Sequence, residues 1–191
     1  GRGWSASIAG GGKAERLAAS PVVAGGKLYA VDVNAVLHAF DSATGRKLWA
    51  ANVGTVPKGA KGTQFGGGAS VEDGLVVATS GYGDVAAFDA SSGAQKWKVH
   101  PAGPLRGAPT ISNGNAYVMS QDSQLIALNL ADGATVWTQS ASLEITGVFG
   151  NSAPAAAQGS LVAGFSSGEL NAYRYENGRP LWGDTLSRTS M

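Results

Sequence analysis

A chain of 191 residues with a formal net charge of +1 offers no concentrated basic surface for nucleic acid. Having no cysteine, it cannot form a disulfide, a thiolate metal site or a cysteine nucleophile. Its 29 glycines and 14% charged residues suit many short strands joined by tight turns, and not a helical bundle rich in Glu, Lys and Leu. No apolar run approaches the roughly 20 residues of a bilayer-spanning helix.

The chain begins Gly1-Arg2-Gly3-Trp4, and we expect it to be a piece of a longer protein. Residues 1–18, with Ser5-Ala6-Ser7-Ile8 and the loop Gly10-Gly11-Gly12, read as a strand remnant that ends an earlier unit. Four units follow, at about 19–50, 66–98, 106–138 and 151–183, and then a tail at 184–191. The first runs Ser20-Pro21-Val22-Val23, a turn at Gly25-Gly26, Lys27 to Val31, a turn near Asp32 to Asn34, Val36 to Phe40, and Lys47-Leu48-Trp49. Each segment is short, rich in β-branched or aromatic residues and bounded by turn residues, which is the pattern of a strand. The second unit repeats this at Ala69, Leu75, Val85 and Gln95, and the third at Ala108, Ala116, Leu125 and Thr135. The fourth does so at Ala153, Leu161, Leu170 and Pro180.

One stretch ties the units together. Asp41, Gly45 and Trp49 recur as Asp89, Gly93 and Trp97, then as Asn129, Gly133 and Trp137, and in a worn copy as Arg174, Gly178 and Trp182. A period of about 40 to 50 residues with four short strands per unit is that of an all-β propeller built of four-stranded antiparallel blades. The chain would then be a partial ring: one domain of about four blades plus one strand of a fifth. The carboxylate should accept backbone N–H groups two residues on, the glycine should end the turn with positive φ, and the tryptophan should fill the gap between neighbouring blades. Arg174 lacks that turn chemistry, so the fourth turn should be looser.

Candidate chemistry is sparse. Gly81-Tyr82-Gly83-Asp84 fits the loosest dinucleotide fingerprint, but a strand and not a helix should follow it, so it reads as a hairpin turn. The glycine runs at Gly10 and Gly66 lack the Gly-Lys-Ser/Thr ending of a phosphate loop and read as loops. His38 has no His, Asp or Glu at i±2 on its strand, and His100 is the only other histidine. No Gly-x-Ser-x-Gly elbow is present, and Glu144, Glu169 and Glu176 show no pairing. We expect no catalytic residue, cofactor or metal. The insertion between Trp49 and Ser70 reads either as a long loop on one face, where binding function often sits, or equally as a plain flexible connector. Leu105-Arg106 just before the third unit's first strand, and Val148-Phe149 before the fourth's, are residue types favoured in binding hot spots, and are the candidate partner-binding residues. The competing structural reading packs these side chains between blades.

The Ala-x-Asp-x-x-x-Gly-x-x-x-Trp pattern at Ala39 to Trp49 and at Ala87 to Trp97 resembles the tryptophan-docking motif of the pyrroloquinoline-quinone (PQQ)-type propeller repeat. Two branches of that family are relevant. Quinoprotein dehydrogenases hold the quinone and calcium, and typically carry an adjacent cysteine pair that this chain lacks. The other branch is similar to BamB, a cofactor-free eight-bladed lipoprotein. Ala19 to Tyr29, Trp4 to Ile8 and Leu105 to Thr110 resemble that branch. The resemblance implies a non-enzymatic scaffold on the periplasmic face of the bacterial outer membrane, tethered by a lipid and assisting β-barrel assembly. Its partner would be a BamA-like barrel-assembly subunit, contacted through rim loops of adjacent blades or a free sheet edge. The alternative is a cofactor-binding fragment of a PQQ-dependent dehydrogenase, which saturable binding of the quinone with calcium would reveal. A half ring would leave apolar blade faces bare, so we expect two chains to associate as a homodimer of half-propellers.

Overall fold

The computed structural model describes residues 21–60 and 67–140, together with strand backbone at 155–157, 160–164, 169–174 and 180–185. The expected strand around Trp4 lies outside these residues, as do Gly10, Gly66, Val148, Phe149 and Gly178. Among the described residues sixteen strands form four sheets, each antiparallel and ordered as in the sequence. The first sheet is β1 (Val22–Ala24), β2 (Lys27–Val31), β3 (Val36–Asp41) and β4 (Lys47–Asn52). The second is β5 (Ala69–Glu72), β6 (Leu75–Thr79), β7 (Val85–Asp89) and β8 (Gln95–Val99). The third is β9 (Leu105–Ser112), β10 (Asn115–Ser120), β11 (Gln124–Asn129) and β12 (Thr135–Ser140). The fourth is β13 (Ala155–Ala157), β14 (Ser160–Gly164), β15 (Glu169–Arg174) and β16 (Pro180–Thr185).

Turn residues dictate this up-and-down order. The first hairpin of each of the first three sheets turns through Gly25-Gly26, Asp73-Gly74 and Asn113-Gly114. Both residues of every pair have positive φ, from +48° to +75°. That is the two-residue turn whose twist matches the twist of the flanking strands, and Gly, Asn and Asp tolerate it best. The carbonyls of Gly26, Gly74 and Gly114 then accept N–H groups from Ser42, Ala90 and Leu130, binding each hairpin to the turn that ends β3, β7 or β11.

First strands line the inside of the array. β5 lies against β1 and β9, and β9 against β13. Close approach there demands glycine. Gly67 forms a parallel bridge with Gly107, and a Cβ on Gly67 would collide with the Thr79 carbonyl. Thr79, 1% exposed, donates its hydroxyl to Gly107 O at 2.8 Å and accepts Gly68 N at 3.1 Å. Gly67 and Gly68 are therefore the packed entry to β5 and not loop, which corrects the expectation drawn from the glycine run.

Alternate side chains of one sheet face different neighbours, because strand residues alternate sides. Val76, Ala78, Ala86 and Phe88 pack with Tyr29, Leu37 and Ala39 of the first sheet. Val77, Val85, Ala87 and Trp97 pack with Leu105, Ala116, Val118, Ile126 and Leu128 of the third. A sheet buried on both faces reads as a continuous apolar run, as Leu75-Val76-Val77-Ala78 does.

The recurring stretch keys the first sheet to the second and the second to the third. Asp41 accepts N–H groups of Ala43 and Thr44 at 3.0 and 2.8 Å, and Asp89 those of Ser91 and Ser92 at 2.9 and 3.0 Å. Asn129 accepts only that of Ala131, at 2.8 Å. Gly45, Gly93 and Gly133 follow with φ of 73°, 76° and 76°, each donating N–H back to the turn's first carbonyl at 2.8 Å. The indole of Trp49 crosses to the second sheet, lies over Gly93 and donates Nε1–H to Ala90 O at 3.1 Å. Trp97 does the same over Gly133, to Leu130 O at 2.8 Å. Tyr29 and Phe88 complete the first seam, with ring centroids 5.9 and 6.4 Å from Trp49. Trp137 packs against Tyr117 at 5.8 Å.

These contacts generate two predictions. Gly114 and Gly133 have nearly the same φ, but a Cβ on Gly114 meets open space, whereas one on Gly133 would lie 2.5 Å from the Trp97 ring. Gly114→Ala should cost about 1–2 kcal/mol for the left-handed backbone alone. Gly133→Ala should cost about 1–3 kcal/mol more, because the indole must move; urea unfolding of both variants gives the difference.

The second concerns acid. The hydroxyl of Ser91 and the N–H groups of Ser92 and Ser91 hold the Asp89 carboxyl well below the usual carboxylate range, and the Thr44 hydrogen bonds also lower that of Asp41. A folded-state pKa below the unfolded value of about 3.9 means stability that is complete above about pH 4 and lost as pH falls through the folded value. Asp89→Asn, which copies Asn129, should therefore give a melting temperature that declines less steeply with acid below about pH 4 than that of the parent chain.

Candidate partner-binding rim

Antiparallel order places the β2–β3, β6–β7 and β10–β11 turns on one rim, together with the connections that pass from one sheet to the next. Each turn opens on a residue whose side-chain oxygen organises it. Asp32 Oδ1 accepts Asn34 N and Val36 N at 2.9 and 3.0 Å. Ser80 Oγ accepts Tyr82 N and Asp84 N at 3.3 and 3.2 Å, and Ser120 Oγ accepts Gln124 N at 3.0 Å. Side chains of this kind mimic a backbone turn, which is why Asp and Ser occupy these positions. Ala35, Gly83 and Ser123 then take positive φ, of 57°, 109° and 64°.

Asp84 joins three segments of this rim. Its Oδ2 accepts Thr55 N at 3.0 Å from the connection after β4. Its Oδ1 lies 3.0 Å from His100 Nδ1, in the connection after β8. Gly54 presses so closely that a Cβ there would collide with the carboxylate, and Gly83 lies beneath the carbonyls of Ala102 and Gly103. Tyr82 reaches back to the first sheet's turn, donating its hydroxyl to Val33 O at 3.3 Å. Gly81-Tyr82-Gly83-Asp84 is thus a hairpin turn running into β7, and the loop glycines serve close packing and not a phosphate.

The candidate residues at the entrance to the third sheet separate here. Leu105 and Arg106 do not precede the first strand; they begin β9, paired with Ser120 and Met119. Leu105 is 1% exposed and belongs to the core between the second and third sheets, so it is no part of an exposed patch. Strand alternation sends its neighbour the other way. Arg106 is half-buried and donates Nη2–H to Gln121 O at 3.3 Å, while Gln121 returns Nε2–H to Leu105 O at 3.3 Å. The guanidinium is held at the rim beside the β10–β11 turn.

Sequence reasoning missed the partner of His38. Asp32, six residues earlier, places Oδ2 2.8 Å from His38 Nε2, with both side chains nearly enclosed. The hairpin folds the two together, a relation that i±2 spacing along one strand does not display. His38 Nδ1 is buried without a hydrogen-bond partner among the described residues. The Asp32–His38 and Asp84–His100 pairs each hold a turn. Among the described residues no group of three or more His, Asp or Glu side chains converges to hold a metal ion.

Successive four-stranded antiparallel sheets, arrayed side by side and joined tryptophan to glycine, define a β-propeller built from PQQ-like repeats. The model of the family described as outer membrane protein assembly factor BamB matches residues 1–56 and 33–191. The chain belongs to that family. BamB of Yersinia pestis is 26% identical over 190 residues, covering 98% of this chain and 48% of the relative. The crystal structure of BamB from Moraxella catarrhalis superposes with a TM-score of 0.74 at 21% identity, covering 92% of this chain and 51% of that one. A quinohemoprotein alcohol dehydrogenase from Pseudomonas putida shares the fold, with a TM-score of 0.68 at 17% identity over 88% of this chain and 34% of that one. The chain spans about half the length of the curated relatives it matches.

Proposed function

We propose that this chain acts as a non-enzymatic propeller scaffold that assists assembly of β-barrel proteins at the periplasmic face of the outer membrane. The observation that carries this reading is the BamB family match, which extends from the first residue to the last. Within it, the rim formed by the sheet-to-sheet connections faces a BamA-like barrel-assembly subunit, and a lipid tether holds the protein to the membrane. Arg106 is the anchor on the described part of the rim. Leu105 acts beneath it, its buried side chain seating the start of β9. Val148 and Phe149, which follow Ser140 in the sequence and lie outside the described residues, are proposed as further contacts of the same surface. A rim of this kind suits binding, because Asp84, Gln121 and Tyr82 hold its turns in place before a partner arrives, which lowers the ordering cost of association.

The test is co-purification with a BamA-like subunit, quantified by titration. Arg106→Glu should weaken association at least tenfold, about 1.4 kcal/mol, while the melting temperature stays near that of the parent chain. Leu105→Ala should instead lower the unfolding free energy by about 2–5 kcal/mol, as is typical of truncating a buried leucine, and with it the melting temperature. Unchanged association in Arg106→Glu, or no association of the parent chain at all, would overturn the rim assignment.

A further inference from the structure

At the end of the strands opposite the candidate rim, the two tryptophan seams are filled differently. Between the second and third sheets, Leu75, Ile111 and Leu130 pack against the shared core. The first seam holds Lys27, Val71 and Ala90 at the same three positions. Lys27 opposes Asp41 on β3 as Leu75 opposes Asp89 on β7. Val71 pairs with Val76 as Ile111 pairs with Ala116. Ala90 and Leu130 each carry the carbonyl that receives an indole N–H. Apolar filling is lost at every one of the three.

The first seam accordingly contains a cavity of about 300 Å³ between the β1–β2 and β5–β6 hairpins, walled by Tyr29, Val71 and Ala90. That volume is at the lower end of the ~300–1,000 Å³ range of small-molecule sites. Tyr29 stands where the second seam has Val77, but its ring packs on Trp49 and its hydroxyl reaches Ala90 O at 3.4 Å, which leaves the cavity open. Both signs of charge border it. Lys27, half-buried, shares a face of β2 with Tyr29 and so points toward the second sheet. Asp73, exposed in the β5–β6 turn, lines the other side. Glu72 alternates away with Ser70, whose hydroxyl donates to Pro109 O of the third sheet. The Asp41 and Asp89 carboxylates are taken up by N–H groups of their own turns. Among the described residues neither Lys27 nor Asp73 forms an ion pair.

We propose that this cavity binds a free α-amino acid with an aliphatic side chain of about leucine size. The side chain takes the space that Ile111 and Leu130 fill in the second seam. The carboxylate faces Lys27 and the ammonium faces Asp73, so each unpaired charge of the protein meets its opposite. Charge complementarity selects this class of occupant: a neutral hydrocarbon leaves both charges unpaired, and a simple fatty acid or amine leaves one. Because the cavity lies between two sheets, its occupant touches both and ties the first blade to the second. Occupancy therefore stabilises the fold as any ligand of the native state does. The inference goes beyond the assembly-factor reading, for it concerns the end of the blades remote from Arg106.

The test titrates the whole chain with L-leucine, using calorimetry for affinity and amide NMR shifts for location. Saturable binding is expected, with shifts centred on the two hairpins and a melting temperature that rises with leucine concentration. N-acetyl-leucine, which lacks the ammonium, and leucinamide, which lacks the carboxylate, should each bind about tenfold more weakly or worse. Ala90→Leu, which copies Leu130, should close the cavity and weaken leucine binding at least about tenfold without lowering the melting temperature of the free chain. Asp73→Asn copies the turn residue Asn113, so it keeps the hairpin while removing the charge, and should weaken leucine but not N-acetyl-leucine. No binding of leucine, either derivative binding as tightly as leucine, or binding unaffected by Ala90→Leu would overturn the proposal. Association through Arg106 should be the same in Ala90→Leu as in the parent chain, which keeps this outcome separate from that of the family reading.

Discussion

Everything in this array depends on a hydrogen bond made outside its own blade. The tryptophan closing one sheet donates its indole N–H to the carbonyl just after the Asp or Asn of the next, over a glycine that cannot carry a side chain. Ala90 and Leu130 are the hinge points. Their N–H groups hold their own sheet's first hairpin, and their carbonyls receive the preceding sheet's tryptophan. A single peptide group thus joins intra-blade to inter-blade order. Since an isolated four-stranded sheet cannot bury two apolar faces by itself, the seam is what makes each blade stable.

This seam also explains which parts of the recurring stretch vary. Gly93 and Gly133 lie against an indole, so any side chain there collides with it. The carboxylate has more latitude, because what it supplies is an acceptor for turn N–H groups. Asn129 keeps one such bond where Asp89 keeps several. Copy-to-copy drift from Asp41 to Asn129 is the behaviour of a turn-former and not of a group that does chemistry. Successive blades differ instead at the rim connections.

Much of the fold was legible from the residues. Paired turn residues at Gly25-Gly26, Asp73-Gly74 and Asn113-Gly114, and the tryptophan period, were enough to give the strands, their order and the propeller class. The candidate rim was only half legible. Arg106 is at the rim, but Leu105 beside it is core, and a residue-type argument treats the two alike. Gly67 and Gly68 looked like loop residues because nothing local distinguishes a flexible glycine from one pressed against Thr79 and Ala108. His38 appeared to lack a carboxylate because Asp32 reaches it across a hairpin turn.

Sequence alone determined the period, the turn chemistry and the family, since all three are carried by residues close together in the chain or repeated at a fixed interval. Tertiary structure decided which side of β9 faces the core and which inner glycines are obligatory. The reason is physical. Burial, close approach and edge exposure depend on what lies on the far side of a strand, and in a propeller that neighbour belongs to a blade some 40 residues away.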